Sequence, residues 1–311
     1  MEGGNQKFTD KELSVMAGFL GDKFEGPAIG EEERKAKVQP PPPPSVKSGS
    51  GFKFTSNDQL KEAAKKWVQD KDKAKGEYDK IEDWDVSEVT SFHELFKEAE
   101  EFNEDLSRWD VSNVTSMYCA FVECSAFNSD LSTWNTSNCT NMERMFECCE
   151  AFNSNVSRWN TSNCTSMQGM FSGCEAFNSD LSEWNTSNCT NMEGMVGGCP
   201  AFNSDLSTWN TSNCTGMVHM FNGCSAFNSD LSSWNTSKCT TMECMFQGCS
   251  AFNSDLSTWN TSNCTDMRAM FENATSFDND LSLWDMSKCI NKTDMFLNAT
   301  AMKASHKPKG V

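Results

Sequence analysis

The hydrophobic positions of this sequence repeat every 25 residues. Tryptophan shows the period most clearly, and leucine, phenylalanine, methionine and cysteine recur in register with it. The tryptophans on the period are Trp84, Trp109, Trp134, Trp159, Trp184, Trp209, Trp234, Trp259 and Trp284. A fixed period of about 20–50 residues is typical of solenoids and propellers, in which each unit buries a few residues in a shared core. We therefore expect about nine stacked coils over residues 81–302.

The first half of each coil is predicted to be a short strand. In the coil that begins at Leu131, the residues Leu131, Trp134, Thr136 and Cys139 occupy the inward positions of the leucine-rich-repeat pattern. In that pattern a short strand leads to an inward-turning Asn or Cys. Because side chains alternate along a strand, positions 133, 135 and 137 should face outward.

The second half of each coil is predicted to be one or two turns of helix. Thr140 and Glu143 have the spacing of a capping box, which starts a helix. The residues with the i, i+3, i+4, i+7 spacing of an apolar helix face are Met142, Met145, Phe146 and Cys149. The two halves together predict an α/β repeat in the form of a leucine-rich-repeat-like solenoid.

The outward positions of the predicted strands form the candidate binding surface. Position 135 and its equivalents are Asn or Asp in every coil, whereas position 133 varies between coils. Most other variation falls on the predicted helix side, at 143–144, 147–148 and 150. The candidate partner-binding residues are Arg108, Arg158, Glu183, Leu283, Asn135, Asn160, Asn185 and Asn210.

The segments outside the array differ from it in composition. The predicted domains are a disordered tail at 1–51, a helical N-terminal cap at 52–80, the repeat solenoid at 81–302 and a basic C-terminal tail at 303–311. The N-terminal tail contains a candidate short helix over 9–24 and a polyproline linker at 40–44. Solenoids need a terminal cap because their end units would otherwise expose the core.

The N-terminal cap is predicted to contain a single helix over residues 56–75. Ser56 or Asn57 is the expected N-cap. The predicted buried stripe consists of Leu60, Ala63, Ala64, Trp67 and Val68.

Charge and hydropathy exclude several classes of function. The formal net charge is −18, and such an acidic chain repels nucleic acid and anionic membranes. The excess of negative charge lies in residues 81–302, which carry 30 acidic and 8 basic side chains. No stretch approaches the roughly 20 apolar residues of a membrane span, and the N-terminus lacks the pattern of a secretory signal. These features predict a cytoplasmic protein, with the cell surface, reached by an unrecognised route, as the alternative.

The repeat resembles that of BspA-like leucine-rich-repeat proteins, including the mycoplasma surface-lipoprotein type and its algal and protist variants. The resemblance rests on Phe127-Asn-Ser-Asp-Leu-Ser-Thr-Trp-Asn-Thr-Ser-Asn-Cys-Thr-Asn-Met and its equivalents, and it covers about residues 54–300. It implies a right-handed solenoid that is used in adhesion or protein interaction and has no catalytic residues. The chain departs from the family in lacking a signal sequence and in having Cys at most positions equivalent to Val114 and Ala99.

The cysteines are predicted to be small buried hydrophobes. Thirteen of the 16 fall in two columns, represented by Cys139 and Cys149, where other coils have Val or Ala. Disulfides between coils are disfavoured because equivalent residues of stacked strands lie about 4.8 Å apart, beyond the Cβ separation of about 3.8 Å in a disulfide. A metal-binding thiol ladder is the alternative. The Asp column, represented by Asp130, is predicted to make turn hydrogen bonds, with a calcium ladder as its alternative.

The remaining residues do not indicate catalysis. The three histidines, His93, His219 and His306, lie at unrelated positions in the coil. We expect no catalytic, cofactor-binding or metal-binding residues, and a small-molecule site is disfavoured because it needs dissimilar polar groups that converge. The leading hypothesis is a non-enzymatic protein-interaction scaffold with one or more protein partners. The alternatives are a surface adhesin, or a binder of a repetitive ligand such as a polysaccharide or ice through the Asn/Ser ladder.

Overall fold

The computed structural model describes residues 51–311, so the predicted tail lies outside the described residues except for Gly51. Two α-helices open the described part: α1, Asn57–Gln69, and α2, Lys71–Tyr78. Short 3₁₀ helices occupy Ile81–Asp83 and Ala304–His306. No helix among the described residues has the length and apolar character needed to cross a bilayer.

Helix α1 agrees with the predicted helix in its start and in most of its buried face. The Ser56 hydroxyl accepts a hydrogen bond from the Gln59 amide, as an N-cap does. Leu60, Ala63, Ala64 and Trp67 are buried, and the Trp67 ring meets Trp84 of the first coil edge to face at 5.6 Å. The prediction that Val68 is buried is wrong, because its side chain is 49 % exposed.

The predicted single helix over residues 56–75 is divided into two helices at Asp70. The Asp70 amide donates to the Lys66 carbonyl at the end of α1, and its carboxylate accepts from the Lys73 amide at the start of α2. One residue therefore ends the first helix through its backbone amide and caps the second through its side chain. Helix α2 buries Ala74 alone, and it extends three residues beyond the predicted end.

Each coil is built from consecutive β-turns instead of the predicted strand and helix. In the coil 131–155, hydrogen bonds between residues i+3 and i close turns that begin at Leu131, Thr136, Met142 and Phe146. We call Leu131–Cys139 and its equivalents the tryptophan segment, and Thr140–Cys149 and its equivalents the methionine segment. The only β-pairing within residues 81–302 is one parallel bridge per coil, such as Ser116 with Asn141 and Asn141 with Ser166.

The methionine segment is not helical because its amides bind the neighbouring coil. The amides of Met142, Arg144, Phe146 and Cys148 donate to carbonyls 24 residues later, at 2.7–3.1 Å, instead of to carbonyls four residues earlier. Arg144 and Cys148 also have φ of 53° and 59°, in the left-handed region, which interrupts a right-handed helix every fourth residue. The apolar residues at helical spacing are nevertheless buried.

The core consists of side chains that contact their equivalents in adjacent coils. The rings of Trp134 and Trp159 are nearly parallel, at 7°, with centroids 6.2 Å apart. Phe127 and Phe152 are nearly parallel at 6.1 Å, as are Phe146 and Phe171 at 5.7 Å. All nine periodic tryptophans are at most 5 % exposed. The 25-residue period is therefore also the period of the contacts in the core.

The basic C-terminal tail begins as the start of another coil. The Lys303 amide donates to the Asp278 carboxylate, which repeats the bond from the Asp278 amide to Asn253 one coil earlier. The Lys303 ammonium also pairs with Asp278, and the Leu281 amide donates to the His306 carbonyl. The Lys303 contact holds the pKa of the Asp278 carboxyl at about 2. The first residues of this tail are thus packed on the last coil.

Candidate interaction surface

The outward asparagines of the tryptophan segment bind their own backbone. The side-chain oxygen of Asn135 accepts from the Ser137 amide at 3.2 Å, and that of Asn160 accepts from the Ser162 amide at 3.0 Å. Asn185 and Asn210 make the same bond. Asp130 likewise accepts from the Ser132 amide, which confirms the turn hydrogen bond predicted for the Asp column. The side-chain oxygen of each candidate asparagine therefore already accepts a hydrogen bond within the turn.

Three more side chains of the tryptophan segment link neighbouring coils. The Trp159 indole N–H donates to the Leu131 carbonyl at 3.0 Å, and the Thr161 hydroxyl donates to the Asn185 carbonyl at 3.1 Å. The Asn163 amide nitrogen donates to the Ser137 carbonyl at 2.8 Å. Most coils repeat these bonds at equivalent positions. Within the described part of the array, the tryptophan segments that begin at Leu106 through Leu256 make no backbone-to-backbone hydrogen bond to a neighbouring coil.

The variable outward residues do not form one patch. Arg158 and Glu183 are exposed at the same position in consecutive coils. Arg108, two coils before Arg158, pairs with Asp83. Leu283, four coils after Glu183, is 90 % exposed. The structure therefore places only two of the four predicted variable residues in adjacent coils.

The methionine segment presents a second surface, which sequence analysis left without candidate residues. Its outward positions differ from coil to coil, and most of them are exposed or half-buried. Acidic residues are frequent there, with Glu98 and Glu123 exposed in consecutive coils. Arg144 pairs with Glu147 and is a local exception to the acidic character.

The last coil exposes apolar side chains at positions that are polar in most other coils. Ile290 replaces the threonine found at position 140 and its equivalents, and it is 86 % exposed. Leu297 is 45 % exposed at the position equivalent to Glu147. Together with Leu283 they make the C-terminal coil less polar than the inner ones.

The cysteines are free thiols, and 15 of the 16 are buried. This confirms the prediction that they are small hydrophobic residues of the core. Burial raises the pKa of Cys124 and Cys139 to about 12 and that of Cys174 well above its ordinary value. Thiols with raised pKa values are poor nucleophiles at neutral pH, because the thiolate is the reactive form. The Cys149 thiol donates to the Phe121 carbonyl at 2.9 Å, so this column also links coils.

One group of mixed side chains departs from the uniform columns. His219, Glu243 and Cys244 place one ligand atom each within 4.8 Å of one another. Burial lowers the pKa of the His219 imidazole and raises that of the Cys244 thiol to about 12. His219 and Cys244 are one period apart, but no sequence motif indicates this group. The other histidines lie elsewhere: His93 stacks on Tyr118, and His306 contacts Asp278.

Comparison with known proteins gives a family without an assigned activity. A family model described as "Mycoplasma protein of unknown function, DUF285" matches three overlapping stretches, residues 62–166, 132–224 and 198–308. No curated protein and no solved structure matches the chain. The three tandem matches identify a repeat protein, and together they span most of the chain. The chain therefore belongs to this mycoplasma family of unknown function.

Proposed function

We propose that this protein is a non-enzymatic protein-interaction scaffold, in which residues 81–302 form a right-handed, BspA-like leucine-rich-repeat solenoid. The 25-residue offset of the ring contacts and the 24-residue offset of the amide hydrogen bonds support stacking of equivalent coils. Helix α1 would cap the first coil, since its Trp67 packs on Trp84. A solenoid of this kind offers a long surface on which neighbouring coils display different side chains.

One observation favours the methionine segments as the binding surface of the scaffold. Their backbone is held by direct bonds to neighbouring coils, so most of their outward side chains are not needed to hold it. Those side chains can therefore vary without loss of the fold. The tryptophan segments lack this freedom, because their side chains make the bonds between coils.

The charge of the array suggests the chemistry of the partner. Residues 81–302 carry 30 acidic and 8 basic side chains, and exposed acidic residues such as Glu98 and Glu123 lie on the methionine segments. A protein with a basic surface would associate faster with such a face and be selected over acidic proteins. We therefore propose a basic protein partner for the methionine segments.

The experiment compares partner capture by two charge-reversal variants of the full chain. Glu123→Lys alters a methionine segment, and Glu183→Lys makes the same change in charge on a tryptophan segment. We expect the first variant to lose proteins that the unaltered chain captures, while the second retains them. Equal capture by both variants would show that the methionine segments are not the binding surface.

The alternative, a surface adhesin or a binder of a polysaccharide or ice, would use the repeated asparagines. Its support is the presence of the same residue in successive coils, such as Asn135, Asn160, Asn185 and Asn210. It is weaker because their side-chain oxygens bind the adjacent turns. Cell-surface labelling of the tagged protein, with a glycan array and an ice-recrystallisation assay, would favour the alternative if any of the three were positive.

A further inference from the structure

We propose that His219, Glu243 and Cys244 form a binding site for one divalent transition-metal ion, with Zn²⁺ the best match. The three side chains offer nitrogen, oxygen and sulfur ligands, and all three ligand atoms lie within 4.8 Å of one another. Zn²⁺ binds this combination of ligands at about 2.0–2.3 Å. Small side-chain rotations would bring the three atoms to that distance from a common ion.

The turn geometry of consecutive coils brings the histidine and the cysteine together. His219 and Cys244 are one period apart, and both have left-handed backbone conformations, with φ of 55° and 52°. The His219 amide donates to the Glu243 carbonyl at 2.9 Å, which fixes the two coils against each other. The ligands therefore come from two coils that the backbone already holds in register.

The space beside the group is open on the side of the preceding coil. The equivalent position there is Gly194, and a Cβ at this position would meet only the Gly169 Cα, at 4.0 Å. The equivalent position in the following coil is Ala269, which has a small side chain. A three-ligand zinc site leaves a fourth position for water, and neither equivalent position carries a large side chain that would compete for that space.

The charges of the ligands suit a divalent cation. Binding would release the Cys244 thiol proton to solvent, so that one thiolate and one carboxylate balance the two positive charges of the ion. A neutral complex avoids the cost of placing an uncompensated charge in a half-buried site. The imidazole contributes no charge, because histidine binds a metal ion in its neutral form.

Two existing contacts would compete with the metal ion. The Arg268 guanidinium pairs with one carboxylate oxygen of Glu243 and leaves the other oxygen for coordination. The Asn222 side-chain nitrogen lies 3.3 Å from His219 Nδ1 and also donates to Gln247 at 2.6 Å. Removing the competing cation with Arg268→Gln should therefore increase metal affinity, whereas removing a ligand should decrease it.

The test is a titration of the full chain, freed of metal by a chelator, with Co²⁺ as a spectroscopic substitute for Zn²⁺. We expect one Co²⁺ per chain with a thiolate-to-cobalt charge-transfer absorption, and displacement of the cobalt by Zn²⁺. His219→Ala and Cys244→Ala should each weaken binding by more than about 100-fold, since loss of an outer-shell partner alone costs about 10–100-fold. Arg268→Gln should strengthen it.

The matched control is Cys119→Ala, which removes a buried cysteine at the position equivalent to Cys244. The coil before Cys119 has no histidine at the position equivalent to His219. Circular dichroism of each metal-free variant establishes that it is folded, and Cys244→Ser serves as a second variant if Cys244→Ala does not fold. The proposal is overturned if folded His219 and Cys244 variants bind Co²⁺ as tightly as the unaltered chain. It is also overturned if the unaltered chain shows no thiolate-to-cobalt absorption.

Discussion

The tryptophan and methionine segments of one coil meet the same requirement in opposite ways. Both must satisfy the backbone groups of a chain that has few regular elements. In the tryptophan segment, side chains such as Trp159 and Thr161 donate to carbonyls of neighbouring coils. In the methionine segment, backbone amides such as those of Met167 and Gly169 donate directly to carbonyls of the next coil.

This difference explains why one segment is uniform in sequence and the other is not. Where a side chain makes the bond between coils, replacing it leaves a buried acceptor without a partner. Where the backbone makes the bond, outward side chains can change with little effect on the fold. Four substitutions within the coil 156–180 test this explanation, because they share the same neighbouring coils.

The largest effect is expected for Trp159→Ala. The substitution removes a ring that is 1 % exposed, together with the indole donor to the Leu131 carbonyl. We expect the free energy of unfolding, measured by urea titration, to fall by about 3–5 kcal/mol. Arg158→Ala, at the exposed adjacent position, is the control and should change it by less than about 0.5 kcal/mol. Similar losses from both would mean that the tryptophan column does not stabilise the array.

The next largest effect is expected for Thr161→Val, which keeps the shape of the side chain and removes its hydroxyl. The Asn185 carbonyl then loses the donor that lies 3.1 Å away, in a position where Thr161 is fully buried. We expect a loss of about 1–3 kcal/mol by the same titration. Thr161→Ser keeps the hydroxyl and should be more stable than Thr161→Val, and the reverse order would argue against a role for this bond.

A smaller effect is expected for Asn163→Ala, because Asn163 is exposed and water can replace part of its bond to the Ser137 carbonyl. The expected loss is about 0.5–1.5 kcal/mol. Asn163→Asp keeps the size of the side chain but cannot donate, so its unfolding free energy should be no higher than that of the alanine variant. Full stability of both variants would show that the hydrogen bonds of Asn163 and its equivalents do not hold the coils together.

The smallest effect is expected for Ser172→Ala in the methionine segment. The Ser172 carbonyl accepts from the Cys148 amide at 2.7 Å, and this backbone bond survives the substitution. The free energy of unfolding should change by less than about 0.5 kcal/mol. A loss above about 1 kcal/mol would contradict the view that this segment is free to vary.

The sequence by itself determined the period, the inward residues of each coil and the start of the first helix. Trp134, Met142 and Phe146 are buried as their spacing predicts, and Ser56 caps α1. These features depend on which residues are apolar and on a local hydrogen bond. The apolar pattern and the local hydrogen bond both follow directly from the order of the amino acids.

The tertiary structure decided how the backbone passes between those residues. The spacing of Met142, Met145, Phe146 and Cys149 suits a helix, yet the chain forms turns there because the adjacent coil accepts the amide hydrogen bonds. Those partners lie 24 residues away and come into place only when the chain folds. The group of His219, Glu243 and Cys244 could not be predicted for the same reason, because its ligands come together only between two coils.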